Sequence, residues 1–338
     1  SIDFCDVISV ENLFIAWRVF SKGKRSKRDV TLFELNLEDN LFSLHRRLVS
    51  GEWRPEPYKV FFVQDPKLRR IHKATVADRV LYQAVYQALY PIFDKHFIHD
   101  SYASRNFKGT HRGVVRFEIF ARKVTENYRR PAFVLKCDIR KFFDSIDHVV
   151  LSQLIGQKIS DVKFLALLNK IIGSFETTPG RGLPLGNVTS QIFANIYLNE
   201  LDQFIKHILK ERYYIRYCDD FVILSHDKGR LEEIVRYIVL FLREELKLEL
   251  HPKKVTIQKV SHGTDFLGYV SLPRYRILRT KTKNRMYGKI VEMVEMVKSG
   301  KMEKNRFENS LASYTGILSH CKGRKILLQV NKIIKGIL

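Results

Sequence analysis

The chain has 338 residues, which is enough for about two domains, or for one large domain with an appendage. Hydrophobic residues make up 45% of it and charged residues 28%, a composition that excludes a fibrous or wholly disordered chain. Lys and Arg number 59 against 36 Asp and Glu, and the net charge of +23 predicts a polyanionic partner, nucleic acid first and an anionic membrane surface second.

No run approaches the ~18 to 20 apolar residues that a membrane-spanning helix needs, and residues 1–6 lack the basic-then-apolar pattern of a signal peptide. We therefore expect a cytoplasmic protein that does not enter a membrane. The cysteines lie far apart without a Cys-x-x-Cys pair, so neither a disulfide framework nor a structural zinc site is indicated. They are Cys5, Cys137, Cys218 and Cys321.

The first third of the chain is predicted to be partly helical. Leucines recur at helical spacing over residues 37–48, and a second apolar stripe runs over residues 81–89. Between them, residues 58–63 are predicted to form a strand. A turn at residues 65–67 then leads into a second, basic strand at residues 69–72.

The middle of the chain mixes strands and helices. An apolar run at residues 133–139 fits a buried strand, and two β-rich runs, 213–217 and 221–225, flank Asp219 and Asp220 as a hairpin with an acidic tip. The same patterns predict helices at 187–210 and 231–246 and strands near 255–260 and 266–272. Because strands and helices do not alternate regularly, we predict an α+β fold rather than a doubly wound sheet.

After Pro273 the sequence becomes basic and helical. Six Lys and Arg residues fall between Arg274 and Arg285. Three amphipathic helices are predicted to follow, at 287–297, 307–319 and 325–337. We expect a small basic helical bundle here, with a domain boundary near residue 274.

Asp219 and Asp220 are the first candidates for chemistry, because adjacent carboxylates disfavour each other's ionisation unless a cation or hydrogen-bond donors offset it. Alone, such a pair is usually a solvated turn, but the apolar runs on both sides would hold this one at the rim of a core. Asp138 ends the apolar run at residues 133–137. Three such carboxylates suit two magnesium ions, and together with the net charge they point to phosphoryl or nucleotidyl transfer on nucleic acid.

An ordered set of motifs carries a family resemblance. Residues 217–220, Tyr-Cys-Asp-Asp, resemble the Tyr-x-Asp-Asp box of reverse transcriptases, and residues 138–144 resemble the carboxylate motif that precedes it. The other matches are fingers motifs at 65–71 and 101–109, the nucleotide motif at 182–191, the strand-and-lysine motif at 248–254 and the primer grip at 266–269. Together they span residues 55–275 in the family's order, which argues strongly against a chance match.

The nucleotide motif indicates a branch of that family. Group II intron and retroviral enzymes carry Gln-Gly in it, and the intron enzymes end it Ser-Pro, whereas this chain has Leu185-Gly186 and Ser190-Gln191. That variant is similar to the reverse transcriptases of diversity-generating retroelements of bacteria and phages, which are related to the group II intron enzymes. A group II intron-like or retron enzyme, a template-independent polymerase, and a non-catalytic RNA-binding scaffold with this fold remain as alternatives.

The resemblance implies a right-hand polymerase fold of fingers, palm and helical thumb. The expected parts are an N-terminal helical extension at 1–54, fingers at 55–132 with part of 155–190, a palm at 133–273 and a thumb at 274–338. The implied activity is RNA-directed DNA synthesis from deoxynucleoside triphosphates on a structured RNA template, in mutagenic retrohoming. The implied partners are the RNA template, the RNA/DNA duplex, whose phosphates the basic thumb residues would grip, and a small basic oligomeric accessory protein.

By the family's pattern, Asp138, Asp219 and Asp220 are the catalytic carboxylates and hold two Mg²⁺ ions, with the backbone carbonyl of Ile139 as a further ligand. Eight residues are expected to contact the nucleotide by the same resemblance. These are Lys67, Arg69, Arg105, Phe143, Leu185, Gly186, Gln191 and Lys254.

Several of these roles have alternatives. Lys67 and Arg69 are equally compatible with solvated strand charges, and Lys253 competes with Lys254 for the place near the leaving pyrophosphate. Phe143 would exclude a 2′-hydroxyl. Leu185 stands where the family's Gln can hydrogen-bond near the nucleotide, and since leucine offers only shape, the resemblance implies error-prone copying, above all opposite template adenines.

Overall fold

The computed structural model of the chain describes residues 3–64 and 68–337. Four helices come first, and the leucine spacing of residues 37–48 correctly predicts the last of them. They are α1 (Phe4–Ile8), α2 (Val10–Ser21), α3 (Arg28–Leu35) and α4 (Leu37–Val49). Trp17 and Leu41 of these helices are buried in the same hydrophobic core as Leu135 and Ile223 from the centre of the chain, so the N-terminal helices pack as part of the main body.

A two-stranded antiparallel hairpin and two long helices follow. They are β1 (Lys59–Gln64), β2 (Leu68–Lys73), α5 (Val76–Phe93) and α6 (Thr110–Val124). Val60 lies opposite His72 in the hairpin, and every residue of β1 is exposed. Both strands and the helix at 81–89 confirm the sequence predictions. The predicted turn at residues 65–67 lies outside the described residues.

The central sheet has four antiparallel strands in the order β4-β5-β3-β6. Its strands are β3 (Phe133–Asp138), β4 (Tyr214–Tyr217), β5 (Asp220–Ser225) and β6 (Thr256–Lys259). The helices around it are α7 (Phe142–Ser145), α8 (His148–Gly156), α9 (Val162–Ile172), α10 (Val188–Gln203), which continues as a π-helical turn (Phe204–Ile208), and α11 (Lys228–Glu244). The hairpin predicted from residues 213–225 is confirmed.

The alternation of side chains in the sheet divides the interior in two. Leu135 of β3 packs in the core that contains α10, while Val134 packs in a second core with Phe117 of α6. Both faces of the sheet are therefore covered by helices. This arrangement confirms the predicted α+β class.

The C-terminal part begins with a second sheet. Its elements are β7 (Thr264–Phe266), β8 (Tyr269–Leu272), β9 (Tyr275–Leu278), α12 (Thr280–Lys298), α13 (Lys304–Ser319) and α14 (Arg324–Ile337). The single strand predicted at 266–272 is wrong, because Leu267 and Gly268 both have positive φ and turn the chain between β7 and β8. The three predicted helices are present, and α12 starts seven residues earlier than the apolar pattern at 287–297 indicates.

The predicted boundary near residue 274 falls inside this second sheet. Arg274 lies in the turn between β8 and β9, whose strands pair from Tyr269 to Leu278. Tyr269 and Leu278 share a third core with Val114 of α6 and the three C-terminal helices. The helical thumb thus joins the rest of the molecule through a continuous sheet and core.

Candidate active site

The hairpin of β4 and β5 carries Asp219 and Asp220 at its tip. Tyr217 pairs with Asp220 across the hairpin, so Cys218 and Asp219 form the turn. Cys218 has a φ of 56°, the left-handed backbone that tight hairpin turns require. Because β5 lies beside β3 with Asp138 opposite Asp220, the sheet brings the third carboxylate to the same edge.

Backbone hydrogen bonds fix this edge of the sheet. The Ile139 N–H donates to the carbonyl oxygen of Asp219 at 3.2 Å, and the His251 N–H donates to the carbonyl oxygen of Asp138 at 2.8 Å. The Ile139 side chain is buried, and Ile139 is not among the residues that line the adjacent cavity. A metal contact of its carbonyl stays a prediction.

The three carboxylates lie in an environment that disfavours their joint ionisation. Burial raises the pKa of Asp219, and the charge of Asp138 raises it further. Burial also raises the pKa of Asp220 to about 6, although the positive charge of Lys136 opposes the shift. Two lysines offset part of the repulsion: Lys254 Nζ lies 2.7 Å from Asp138 Oδ1, and Lys136 Nζ lies 3.8 Å from Asp220 Oδ2.

This donor set fits divalent cations. Asp220 Oδ1 is buried and has no hydrogen-bond partner among the described residues, and buried polar atoms normally have one. Mg²⁺ prefers carboxylate oxygens and keeps places for water and substrate phosphates. In residues 3–64 and 68–337, no three His, Cys, Asp or Glu side chains already enclose a metal position. Asp138, Asp219 and Asp220 are the side chains that would hold Mg²⁺ here.

A cavity of about 630 Å³ opens directly on the carboxylates. The structure brings most of the predicted site residues to its wall. These are Arg69, Asp138, Phe143, Leu185, Gly186, Gln191, Asp219, Asp220 and Lys254. A volume of this size is typical of a small-molecule or cofactor site, and its polar groups converge at the carboxylate end.

Arg105 is the exception among the predicted nucleotide contacts. Its side chain is almost buried and donates from Nε to Asp94 at 2.6 Å and from Nη1 to the carbonyl oxygens of Ile98 and Ser101. These bonds hold the chain between α5 and α6, and Arg105 does not line the cavity. The expectation that it contacts the nucleotide has no support in these contacts and stays a prediction. Lys67 lies outside the described residues.

The nucleotide motif at residues 182–191 forms a loop that contacts the hairpin of β1 and β2. The His72 N–H of β2 donates to the carbonyl oxygen of Leu185 at 3.1 Å. Gly186 has a φ of 110°, and a Cβ there would lie 3.0 Å from Ile71 Cγ2. Glycine is thus required for the loop to lie against β2, and this contact places Arg69 beside the cavity.

Two adjacent phenylalanines follow Asp138 at the site. Phe142 is buried and Phe143 is half-buried, and both line the cavity. Asp147 caps α8 by accepting from the N–H groups of Val149 and Val150, a structural role.

A second cavity of about 840 Å³ continues from the first and shares four residues with it. The shared residues are Arg69, Lys141, Asp144 and Leu185. Beyond them it is lined by Arg70, Arg181 and Glu176, so cations outnumber carboxylates along this wall. Phosphates of a substrate would be attracted to it.

Two polar residues at the site were missed by sequence reasoning. Lys136 lies two residues before Asp138 on the same face of β3, and this spacing was the only signal for it. Arg216 lies under the hairpin turn, where its buried guanidinium contacts the carbonyl oxygen of Cys218. Its partners come from distant parts of the chain.

The basic residues after Pro273 are partly engaged within the protein. Arg276 pairs with Glu118 of α6 at 3.1 Å, and Arg279 pairs with Asp265 of β7. These two arginines therefore stabilise the junction between the second sheet and the rest of the molecule. Lys281 is exposed at the start of α12. A grip of this region on duplex phosphates stays a prediction.

No helix within residues 3–64 and 68–337 is long and apolar enough to cross a membrane.

Three carboxylates lie at one edge of the central sheet, a cavity opens on them, and the hairpin of β1 and β2 contacts the loop of the nucleotide motif. This arrangement defines a nucleic-acid polymerase of the right-hand type. A family model described as "Reverse transcriptase (RNA-dependent DNA polymerase)" matches residues 64–271, more than half of the chain. The chain belongs to the reverse transcriptase family.

Curated relatives agree with this assignment. The chain is 27% identical over 328 residues to Protein YkfC of Escherichia coli (strain K12), covering 85% of this chain and 82% of YkfC. It is 25% identical over 303 residues to the Group II intron-encoded protein LtrA of Lactococcus lactis subsp. cremoris, covering 69% of this chain and 49% of LtrA. The chain thus spans about half the length of the intron-encoded relative.

Among solved structures, the chain is similar to the telomerase from Candida albicans in complex with a fragment of telomeric RNA. The TM-score is 0.50 at 13% identity, and the match covers 88% of this chain and 61% of the telomerase chain. At this identity the likeness concerns the fold alone, and it agrees with the predicted polymerase architecture.

Proposed function

We propose that this protein is an RNA-directed DNA polymerase that extends a primer with deoxynucleoside triphosphates. The observation that carries the proposal is the convergence of Asp138, Asp219 and Asp220 on one cavity that also holds the nucleotide motif. In the reaction, the primer 3′-oxygen attacks the α-phosphorus, the bond from that phosphorus to the bridging oxygen breaks, and pyrophosphate leaves with the electron pair.

The chain's own residues have distinct parts in this scheme. Two bound Mg²⁺ ions would supply charge neutralisation and a lower pKa for the primer hydroxyl. The carboxylates of Asp138, Asp219 and Asp220 would hold the two ions. Arg69, which lies in β2, holds the triphosphate. Lys254, whose ammonium group contacts Asp138 and lines the cavity, donates a proton to the leaving pyrophosphate in this scheme.

Primer extension on an RNA template with Mg²⁺ tests this proposal. The intact protein is expected to extend the primer, and Asp219→Ala to lose at least about 1000-fold in rate while keeping its affinity for the RNA/DNA duplex. Asp227→Ala is the matched control, since Asp227 only caps α11 on the surface. Loss of duplex binding in Asp219→Ala, or equal extension by both variants, would contradict the catalytic role. Extension without any template would indicate a template-independent polymerase.

Within the family, we infer that the protein is the mutagenic enzyme of a bacterial or phage diversity-generating retroelement, acting in the cytoplasm with a small basic accessory protein. Leu185 supports this inference. Its backbone is held by β2, and its apolar side chain lines the cavity where a glutamine could donate or accept hydrogen bonds. A site without such bonds discriminates less sharply between matched and mispaired nucleotides.

Sequencing of extension products from the intact protein and from Leu185→Gln tests the mutagenic assignment. The intact protein is expected to misincorporate mainly opposite template adenines, and Leu185→Gln to lower that error rate by about 10-fold. Unchanged errors in Leu185→Gln would count against the role of Leu185. Faithful copying by the intact protein would instead favour an intron-type enzyme, in line with the match to LtrA.

A further inference from the structure

A buried arginine lies directly beneath the turn that carries the catalytic carboxylates. The side chains of Arg216 and Asp202 are both 0% exposed, and the guanidinium donates from Nε and Nη2 to the two carboxylate oxygens of Asp202, each at 2.7 Å. Asp202 also accepts from the Tyr214 hydroxyl at 2.7 Å. The charge of the arginine is thus fully compensated by a planar, bidentate partner.

The remaining donors of Arg216 reach three other parts of the site. Nη1 donates to the carbonyl oxygen of Cys218 at 3.0 Å and to Asn195 Oδ1 at 3.3 Å, and Nη2 donates to Ser101 Oγ at 3.2 Å. Cys218 belongs to the hairpin turn, Asn195 to α10, and Ser101 to the segment before α6. One side chain therefore joins three walls of the catalytic cavity.

The contact with Cys218 acts on Asp219 through the backbone. The Cys218 carbonyl belongs to the peptide group whose N–H is that of Asp219, so the hydrogen bond fixes the orientation of that peptide plane. Cys218 is held at a φ of 56°, a region that non-glycine residues adopt only when their surroundings support it. The Asp219 carbonyl is held from the other side by the Ile139 N–H at 3.2 Å.

The other contacts extend the same network to the nucleotide wall. Asn195 Nδ2 donates to the carbonyl oxygen of Ala103 at 2.9 Å, and Ala103 lines the cavity. Helix α10, which supplies Asn195 and Asp202, also carries Gln191 on the cavity wall. The guanidinium thus sets the distance between the carboxylates and the residues expected to contact the nucleotide.

We propose that Arg216 is a positioning residue, which holds the Cys218–Asp219 peptide so that the Asp219 carboxylate faces the metal and nucleotide position. The proposal rests on the function proposed above. A buried ion pair is weak grounds for a role in stability, because desolvation offsets much of the attraction. The five donor contacts instead favour a geometric role, which lysine cannot replace, since its ammonium is a compact point charge without the planar fork.

Arg216→Lys tests the proposal, because it retains the charge that Asp202 requires. We expect the variant to fold, to bind Mn²⁺ about 10- to 100-fold more weakly in electron paramagnetic resonance titrations, and to lose kcat while the KM for the nucleotide changes little. The matched control is Arg79→Lys, an arginine that pairs with Asp29 and does not line the cavity, and this variant is expected to keep both values.

A second variant covers the case in which Arg216→Lys does not fold. The double variant Arg216→Gln with Asp202→Asn removes both buried charges and keeps similar shapes, so it avoids an unpaired ion in the core. It is expected to show the same weak Mn²⁺ binding. Mn²⁺ affinity and kcat equal to those of the intact protein, in either folded variant, would overturn the positioning role.

The two readouts separate this inference from the proposed function. If the intact protein extends no primer, the polymerase proposal fails, but the Mn²⁺ titration still compares Arg216→Lys with the intact protein. If the intact protein extends primers and Arg216→Lys does so equally well, with unchanged Mn²⁺ binding, only the positioning role fails.

Discussion

The fold brings together the carboxylates of Asp138, Asp219 and Asp220. Their mutual repulsion and burial lower the stability of the protein, and nearby groups offset this loss only in part. Lys254 and Lys136 compensate two of the carboxylates, while Asp220 Oδ1 remains without a partner among the described residues. Such an arrangement is typical of functional sites, where stability is lost so that a ligand can be bound. The carboxylates are therefore expected to lower the stability of the metal-free protein.

This cost predicts the effect of removing one charge. In the presence of a chelator, Asp220→Asn is expected to raise the free energy of unfolding by about 1 kcal/mol, because it relieves repulsion from Asp138 and Asp219. Mg²⁺ is expected to stabilise the intact protein more than the variant. Thermal unfolding with and without Mg²⁺ measures both effects. If Asp220→Asn is less stable than the intact protein in the presence of the chelator, repulsion among the three carboxylates does not lower the stability of the protein.

For single residues, the sequence predicts site residues that belong to one motif. It does not predict contacts between residues that are far apart in the chain and meet only when the protein folds. The three carboxylates follow from local patterns, whereas Phe143 and Lys254 are predicted by the motif resemblance. Arg216 contacts Ser101, which lies 115 residues away in the chain, and no sequence spacing indicates such a contact. The ion pair of Arg105 with Asp94 forms only when the chain between α5 and α6 folds, so the sequence does not indicate it either.

The contact between β2 and the nucleotide loop is the main link between elements at the site. It consists of the hydrogen bond from His72 to Leu185 and the close approach of Ile71 to Gly186. Since a two-stranded hairpin is only marginally stable alone, this link contributes to where β1 and β2 lie, together with the ion pair between Lys73 and Asp29. The position of Arg69 depends on it in turn.

Gly186→Ala is expected to disturb that link. Its Cβ would approach Ile71 Cγ2 to 3.0 Å at a φ of 110°, so β2 must move away from the loop. We expect the KM for the nucleotide to rise by about 10-fold, with a loss of stability of about 1 kcal/mol or more. Steady-state kinetics and thermal unfolding measure the two effects.

Gly109→Ala is the matched control for this prediction. Gly109 has a similar φ of 105°, but a Cβ there would have no atom within 4 Å outside its chain neighbours and its own helix. It therefore adds the same backbone strain without displacing a neighbour, and the KM should stay near that of the intact protein. Equal KM values in both alanine variants would mean that strain alone, and not the contact with β2, is responsible.

At the element scale, periodicity predicts α4, α5, α10 to α14 and the central hairpin, because their buried faces repeat along the chain, but it does not single out α2, α6, α8 or α9. It does not predict the turn at Leu267 and Gly268, where apolar residues continue through a change of direction. It also places the start of α12 too late. The first turns of that helix are basic and carry no apolar stripe until Met286 is buried against the third core.

At the scale of the whole molecule, the net charge of +23 is balanced unevenly. Arg276 and Arg279 are paired with carboxylates inside the protein, whereas Lys281 is exposed beside them. Only cations that are available to phosphates contribute to counterion release on nucleic-acid binding. The net charge calculated from the sequence therefore exceeds the positive charge that is available to bind nucleic-acid phosphates.

This difference predicts the salt dependence of duplex binding. Removing Lys281 and Lys283 together, as alanines, is expected to reduce the slope of log affinity against log salt by about 2. A titration of a labelled RNA/DNA duplex at several salt concentrations measures the slope. The control is the double variant Lys163→Ala with Lys170→Ala. These two lysines of α9 lie beside Phe4 of α1, and their removal should leave the slope unchanged. Equal slopes in both pairs would exclude a phosphate grip at the start of α12.

We propose that the three carboxylates at one sheet edge perform RNA-templated DNA synthesis. A single-turnover measurement tests it most directly: one deoxynucleotide is added with Mg²⁺ to a preformed complex of the protein with an RNA template and DNA primer. We predict rapid extension by the intact protein and by Asp227→Ala, and no measurable extension by Asp219→Ala bound to the same duplex. Extension by Asp219→Ala at the rate of the intact protein would contradict the claim.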